Sequence, residues 1–147
     1  MIYEIIKKAE LHIKRAKAAM DEIKSWDFLD ISIFEDFEKI KTIDTFIYRF
    51  IKTQDIMGDK LFRTLLNKIG EYKDNMSLLD ILDKLEKLEI INSSNEWMEY
   101  RQLRNKLTHE YPDNENEVLE GIKIALEDFD NIMQTLNNIV NYINKKI

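Results

Sequence analysis

The sequence predicts an all-α protein, an up-and-down bundle of five to six helices, and three observations carry that expectation. Only three glycines and one proline interrupt 147 residues, so long helices joined by short turns are the natural outcome. Near both ends, apolar residues recur at alternating spacings of three and four, the period of a helix with one buried seam. Apolar side chains make up 44% of the chain, enough to fill one core in a single domain spanning residues 1–147.

The elements follow in order. Ile2, Ile6, Ala9, Ile13, Ala16, Met20 and Ile23 form the first seam, and its two alanines allow a neighbouring helix to come close. From Ile33 to Phe50, the apolar residues Phe37, Ile40, Ile43, Ile47 and Phe50 keep helical spacing and predict a second helix. Gly58 marks a break before a helix carrying Leu61, Phe62, Leu65, Leu66 and Ile69, which Gly70 closes. Ser77 followed by Asp80 reads as an N-cap pair opening Leu78 to Leu88, and Ser93 or Ser94 before Glu96 reads as another. Pro112 and Asp113 separate the last two helices. The final one carries Val118, Ile122, Ala125, Phe129, Ile132, Leu136, Ile139 and Ile143 along about 39 Å. The first and last helices are expected to frame the bundle.

Charge and composition exclude several functions. With 28 Asp plus Glu against 22 Lys plus Arg, a whole-surface grip on nucleic acid is excluded, and any RNA contact must be local. The absence of cysteine removes disulfides and thiolate zinc sites and fits a reducing compartment. Neither a signal-length apolar run at Met1 to Lys8 nor a membrane span is found, so a cytoplasmic location is expected. The N-terminal helix is basic through Lys7, Lys8, Lys14, Arg15 and Lys17. It is a solvated face, an RNA-facing rim or a dock for an acidic partner. From Asp113 onward seven acids stand against three lysines. Carboxylates favour a helix start, but they repel phosphate.

The segment Trp97 to Tyr111 is the informative one. At about 100° per residue, Trp97, Tyr100, Leu107 and Tyr111 fall within about 80° of one another, and Arg104 lies inside that arc. A guanidinium there is costly unless it snorkels, meets a core carboxylate or faces a ligand. His109 lies about 140° round the helix from Arg104. Either the helix unwinds just before Pro112, or Arg and His from two subunits meet across a twofold axis. A histidine at this place also serves as an ordinary partner of the helix C-terminal dipole. His12, without such neighbours, has only a structural reading.

Arg104, Asn105, His109 and Tyr111 together resemble the Arg-x4-His-x-Tyr signature of HEPN proteins, specifically the HepT toxins. The resemblance extends from about Asp55 onward. It implies a homodimeric HEPN bundle whose two motif helices line a composite cleft, and a metal-independent endoribonuclease needing no cofactor. It further implies a toxin whose antitoxin, a minimal nucleotidyltransferase (MNT), adenylylates the motif tyrosine, here Tyr111. The chemistry suits the residue types. Attack of a ribose 2′-hydroxyl on the adjacent phosphate needs proton transfer, which His109 supplies, and charge stabilisation, which the Arg104 fork supplies. Asn105 supports either the phosphate or His109. The competing class is a non-catalytic subunit of a nucleotidyltransferase, using the same cleft to bind nucleotide or substrate.

Overall fold

The computed structural model describes residues 1–146, built from helices with no β-strand among them. Ile147, the last residue of the expected single domain, lies outside the described residues. The helices are α1 (Ile2–Lys24), α2 (Phe37–Asp55), α3 (Phe62–Lys68), α4 (Leu78–Lys87), α5 (Ser94–Glu110) and α6 (Glu115–Lys146). A π-helical turn, Ile56–Leu61, joins α2 to α3 without interruption, so the described residues pack as five rods in a helical bundle.

One cluster of buried side chains draws on every rod, with Phe46, Phe50, Phe62 and Phe129 among its largest members. All eight seam residues of α6 are buried. In α1 the seam is buried except for the half-exposed Ile13. Of the two helices expected to frame the bundle, α1 packs chiefly along α2 and α6 chiefly on α5. The α1–α2 pair is antiparallel, because Glu22 meets Thr42 while His12 meets Arg49.

Local sequence fixes most helix ends. Ser77 and Asp80 form a reciprocal capping box at the start of α4, and the Ser93 hydroxyl accepts from Glu96 N–H at 2.9 Å to open α5. Gly70, at φ +78°, closes α3 with a double bond pattern. Glu71 N–H reaches Leu66 C=O and Gly70 N–H reaches Asn67 C=O, which is the Schellman arrangement that favours glycine.

Two expectations need correction. The stretch Ile33 to Phe50 is not one helix: Ile31–Glu35 forms a 3-10 turn capped by Asp30, and α2 begins at Phe37. Asp36 stops the first and starts the second, since its carboxylate accepts from Glu38 and Lys39 N–H. A side chain that satisfies orphan N–H groups outweighs continuity of the apolar pattern. Phe37, expected on the buried face, is 68% exposed. Gly58 makes no break either; it lies inside the π turn, buried against the Trp97 indole. The neighbouring residues Met57 and Leu61 are fully buried, and that packing keeps the chain helical through the glycine.

Candidate functional site

The α5 helix is held from two sides. Leu103 and Leu107 pack against Gly121 of α6, so closely that a Cβ on Gly121 would meet a Leu107 methyl at 2.9 Å. Trp97 stacks edge-on against Phe62 at 4.7 Å and Tyr100 at 5.7 Å. Toward α2 the contacts are polar. The buried Gln54 side chain donates to Tyr100 C=O at 2.6 Å and fixes the register of two antiparallel helices.

That register places Asp55 opposite Arg104. Arg104 Nε and Nη2 each donate to one oxygen of Asp55 at 2.9 Å, a two-pronged pair with side chains 27% and 32% exposed. Its hydrogen bonds to the Asp55 carboxylate hold the Arg104 pKa above its ordinary value, against the opposing effect of burial. Of the sequence alternatives for a guanidinium on the apolar arc, the structure realises the carboxylate partner. The third nitrogen, Nη1, stays outside the pair and makes only a long 3.4 Å contact with Asn105 Oδ1. Asn105 is thus placed beside Arg104, and the second Nη1 hydrogen is available to an incoming oxyanion.

One turn on toward the N-terminus of α5, Arg101 faces Asp59 at 3.8 Å. Beyond the other end of α5, the Tyr111 hydroxyl donates to Asp44 of α2. Burial, then the hydrogen bond and charge of Asp44, raise the Tyr111 pKa well above the ordinary tyrosine range. Tyr111 therefore remains a proton donor at neutral pH, with a carboxylate already positioned to accept the proton. Between these rungs lies a groove of about 370 Å³ lined by Tyr48, Ile51, Leu107 and Thr108 together with Asp44 and Tyr111.

His109 is not drawn into this ladder. The helix ends at Glu110 and Tyr111 is extended at φ −81°, ψ 137°, so unwinding occurs too late to turn His109. The imidazole remains exposed on α5, and among the described residues no hydrogen bond or ion pair engages it. A single chain thus joins Arg104 and Tyr111 to α2 and leaves His109 facing solvent.

Sequence reasoning missed Asp44, Asp55 and Asp59. Their spacings, 11 and 4, put them on one side of the continuous rod formed by α2 and the π turn, yet among 28 acids that signal is weak. The demand for a carboxylate was visible at Arg104; its identity was not. Among the described residues, no group of three or more His, Asp or Glu is gathered to hold a metal ion, and no helix is long and apolar enough to cross a membrane. No family model matches the chain, and neither a curated protein nor a solved structure matches it.

Proposed function

We propose that the chain is a HepT-like toxin of the HEPN type, a metal-independent endoribonuclease of the cytoplasm that acts as a homodimer. The observation that carries this reading is Arg104. It is held by two oxygens of Asp55, with Nη1 outside that pair and only loosely engaged by Asn105, on the same helix as an exposed histidine. Such an arginine has lost most of its rotational freedom and presents a defined donor to a phosphate. In this reading, α5 helices of two subunits face one another, so that Arg104 of one approaches His109 of the other. His109 removes the proton of a ribose 2′-hydroxyl; the oxygen attacks the adjacent phosphorus, the bond to the 5′-oxygen breaks, and a second proton reaches that leaving oxygen. The products are a 2′,3′-cyclic phosphate end and a free 5′-hydroxyl. Asn105 supports Arg104.

Tyr111 is the regulatory position in the same reading. A cognate MNT nucleotidyltransferase transfers AMP from ATP to its hydroxyl, pyrophosphate leaves, and Asp44 stands ready for the phenolic proton. The added phosphodiester and adenosine then occupy the α2–α5 groove and repel an RNA backbone. The unengaged imidazole of His109 favours a second reading, a non-catalytic subunit that binds nucleotide or substrate at Arg104.

Cleavage of single-stranded RNA in the presence of EDTA separates the two. The endoribonuclease loses cleavage at least about a hundredfold in both Arg104→Ala and His109→Ala, with helicity and sedimentation unchanged. Undiminished cleavage by His109→Ala sinks the catalytic assignment. Absence of cleavage in the unmodified parent, with retained association to a nucleotidyltransferase partner, establishes the binding subunit.

A further inference from the structure

One surface of α1 and α2 is strongly cationic in a chain whose net charge is −6. Lys8 and Arg15 of α1, Arg49 and Lys52 of α2, Lys60 of the π turn and Arg63 of α3 form no ion pair within 4.0 Å among the described residues. They line a row of neighbouring hollows. Lys8, Lys60 and Arg63 line the first, His12, Lys52 and Lys60 the second, and Arg15 and Arg49 the third. Arg49 Nη1 donates to His12 Nδ1 at 2.9 Å, which joins the last two.

Of the remaining basic residues of α1, Lys14 lines a hollow against α6 and Lys17 is engaged by Asp21. Four carboxylates border the row, namely Glu4, Glu22, Asp55 and Asp59. Two of them are already answered, Asp55 by Arg104 and Asp59 by Arg101, which leaves a clear positive excess. His12 reports the same field: partial burial and then the charges of Arg49, Lys52 and Arg15 lower its pKa. Three cations from two helices therefore converge on one place.

Tyr48 supplies the second element. The residue is 51% exposed, with the Arg49 guanidinium carbon and the Lys52 ammonium over its ring, 5.1 Å and 5.6 Å from the centroid. The same ring lines the groove that ends at Tyr111, while Asp55, the partner of Arg104, lines the second cationic hollow. Unpaired cations in a row with an exposed aromatic platform are what single-stranded nucleic acid requires, charge for the backbone and a face for a base. An acidic protein helix would use the cations and gain nothing specific from the ring. From Arg49 to Arg63 the row extends about 21 Å along the helix axis.

We propose that the α1–α2 face is a track on which the phosphodiester backbone of single-stranded RNA runs toward Arg104, with one base stacked on Tyr48. The track takes its substrate class from the endoribonuclease reading, but it is tested by binding and not by cleavage. The probe is a fluorescently labelled uridine oligonucleotide of about a dozen residues and its thymidine counterpart, which lacks the attacking hydroxyl, titrated by anisotropy at several salt concentrations. Both bind in low salt. Replacing Arg49→Glu together with Lys52→Glu weakens binding about tenfold or more and flattens the log–log salt slope by about 1.4, the loss of two phosphate contacts. Lys60→Glu with Arg63→Glu acts in the same direction, and serves should the first pair disturb α2. Tyr48→Ala weakens binding about tenfold and Tyr48→Phe retains it. Lys87→Glu with Lys123→Glu, the same charge change on α4 and α6, leaves affinity within about twofold.

Equal losses in the track and control variants would mean that only net charge matters, and would overturn the track. Unchanged affinity in both track variants overturns it as well, and so does stronger binding of poly-glutamate than of either oligonucleotide, which assigns the face to an acidic protein partner. Binding that depends on the track without any cleavage supports the track and removes the endoribonuclease reading. Cleavage that persists in track variants with normal affinity does the reverse.

Discussion

The two sides of α5 differ in kind. Against α6 the helix presents Leu103 and Leu107 to the bare backbone of Gly121, an apolar contact with no spare volume, with the half-exposed Lys106–Glu117 ion pair at 2.9 Å beside it. Against α2 and the π turn it presents Tyr100 C=O, Arg101 and Arg104, followed by Tyr111, to Gln54, Asp59, Asp55 and Asp44. The first side sets where the helix lies, since close packing permits little adjustment. The second decides what the helix offers, since each rung has directional partners. A half-buried guanidinium is tolerable only because the apolar side holds α5 in the one register where Asp55 meets both of its donors.

The largest break in that comparison comes from the apolar side. Leu107 is fully buried, and Leu107→Ala is expected to cost about 2–5 kcal/mol in chemical denaturation. If the packed side dictates the polar one, Tyr111→Phe costs less stability in the Leu107→Ala background than in the parent. A loss below about 1 kcal/mol in Leu107→Ala itself would mean that the polar ladder positions α5 on its own.

Asp55→Ala comes next. The pair is about one-third exposed on the carboxylate side, so solvent screening limits its contribution to about 1 kcal/mol. Function shifts more than stability: with its clamp gone Arg104 gains rotamer freedom, and in the endoribonuclease reading cleavage falls about tenfold or more while oligonucleotide affinity changes little. Equal loss in affinity and turnover would make Asp55 a general surface charge and not a positioning residue for Arg104.

The smallest effect is a pH dependence. The folded-state pKa of Tyr111 is raised, so the folded protein keeps its phenolic proton after the unfolded chain has lost it. The corresponding stability is complete below the ordinary tyrosine pKa of about 10 and declines as pH rises beyond it. Tyr111→Phe is expected to flatten the loss of thermal stability above pH 10 and to cost less than about 1 kcal/mol at neutral pH. An unchanged alkaline profile would show that the Asp44 rung contributes no energy. Tyr100, whose pKa is also raised and whose hydroxyl donates to Glu96 within α5 and not to α2, gives an internal control.

Much of the fold is legible in the residues themselves. The seams of α1 and α6, the Ser77–Asp80 box, the Ser93 cap and the Gly70 stop all depend on neighbours within a few positions, where backbone geometry allows few alternatives. Where reading failed, a local competitor or a distant contact prevailed. Asp36 capped a new helix inside an apolar run, and buried neighbours carried helix through Gly58. At the site, the sequence marked Arg104 and Tyr111 as sharing a face and Arg104 as needing a partner, because both follow from helical period and the cost of burying charge.

What the sequence alone determined, then, is the set of helices, most of their ends and the anomaly on α5. Which carboxylates answer Arg104 and Tyr111, and which cations gather beside Tyr48, was decided by tertiary structure. Asp55 and Arg104 lie 49 positions apart, and Arg49 and His12 lie 37 apart. Partners at such separations are chosen by the register in which two apolar seams interlock, a property of the packed pair and of neither helix by itself.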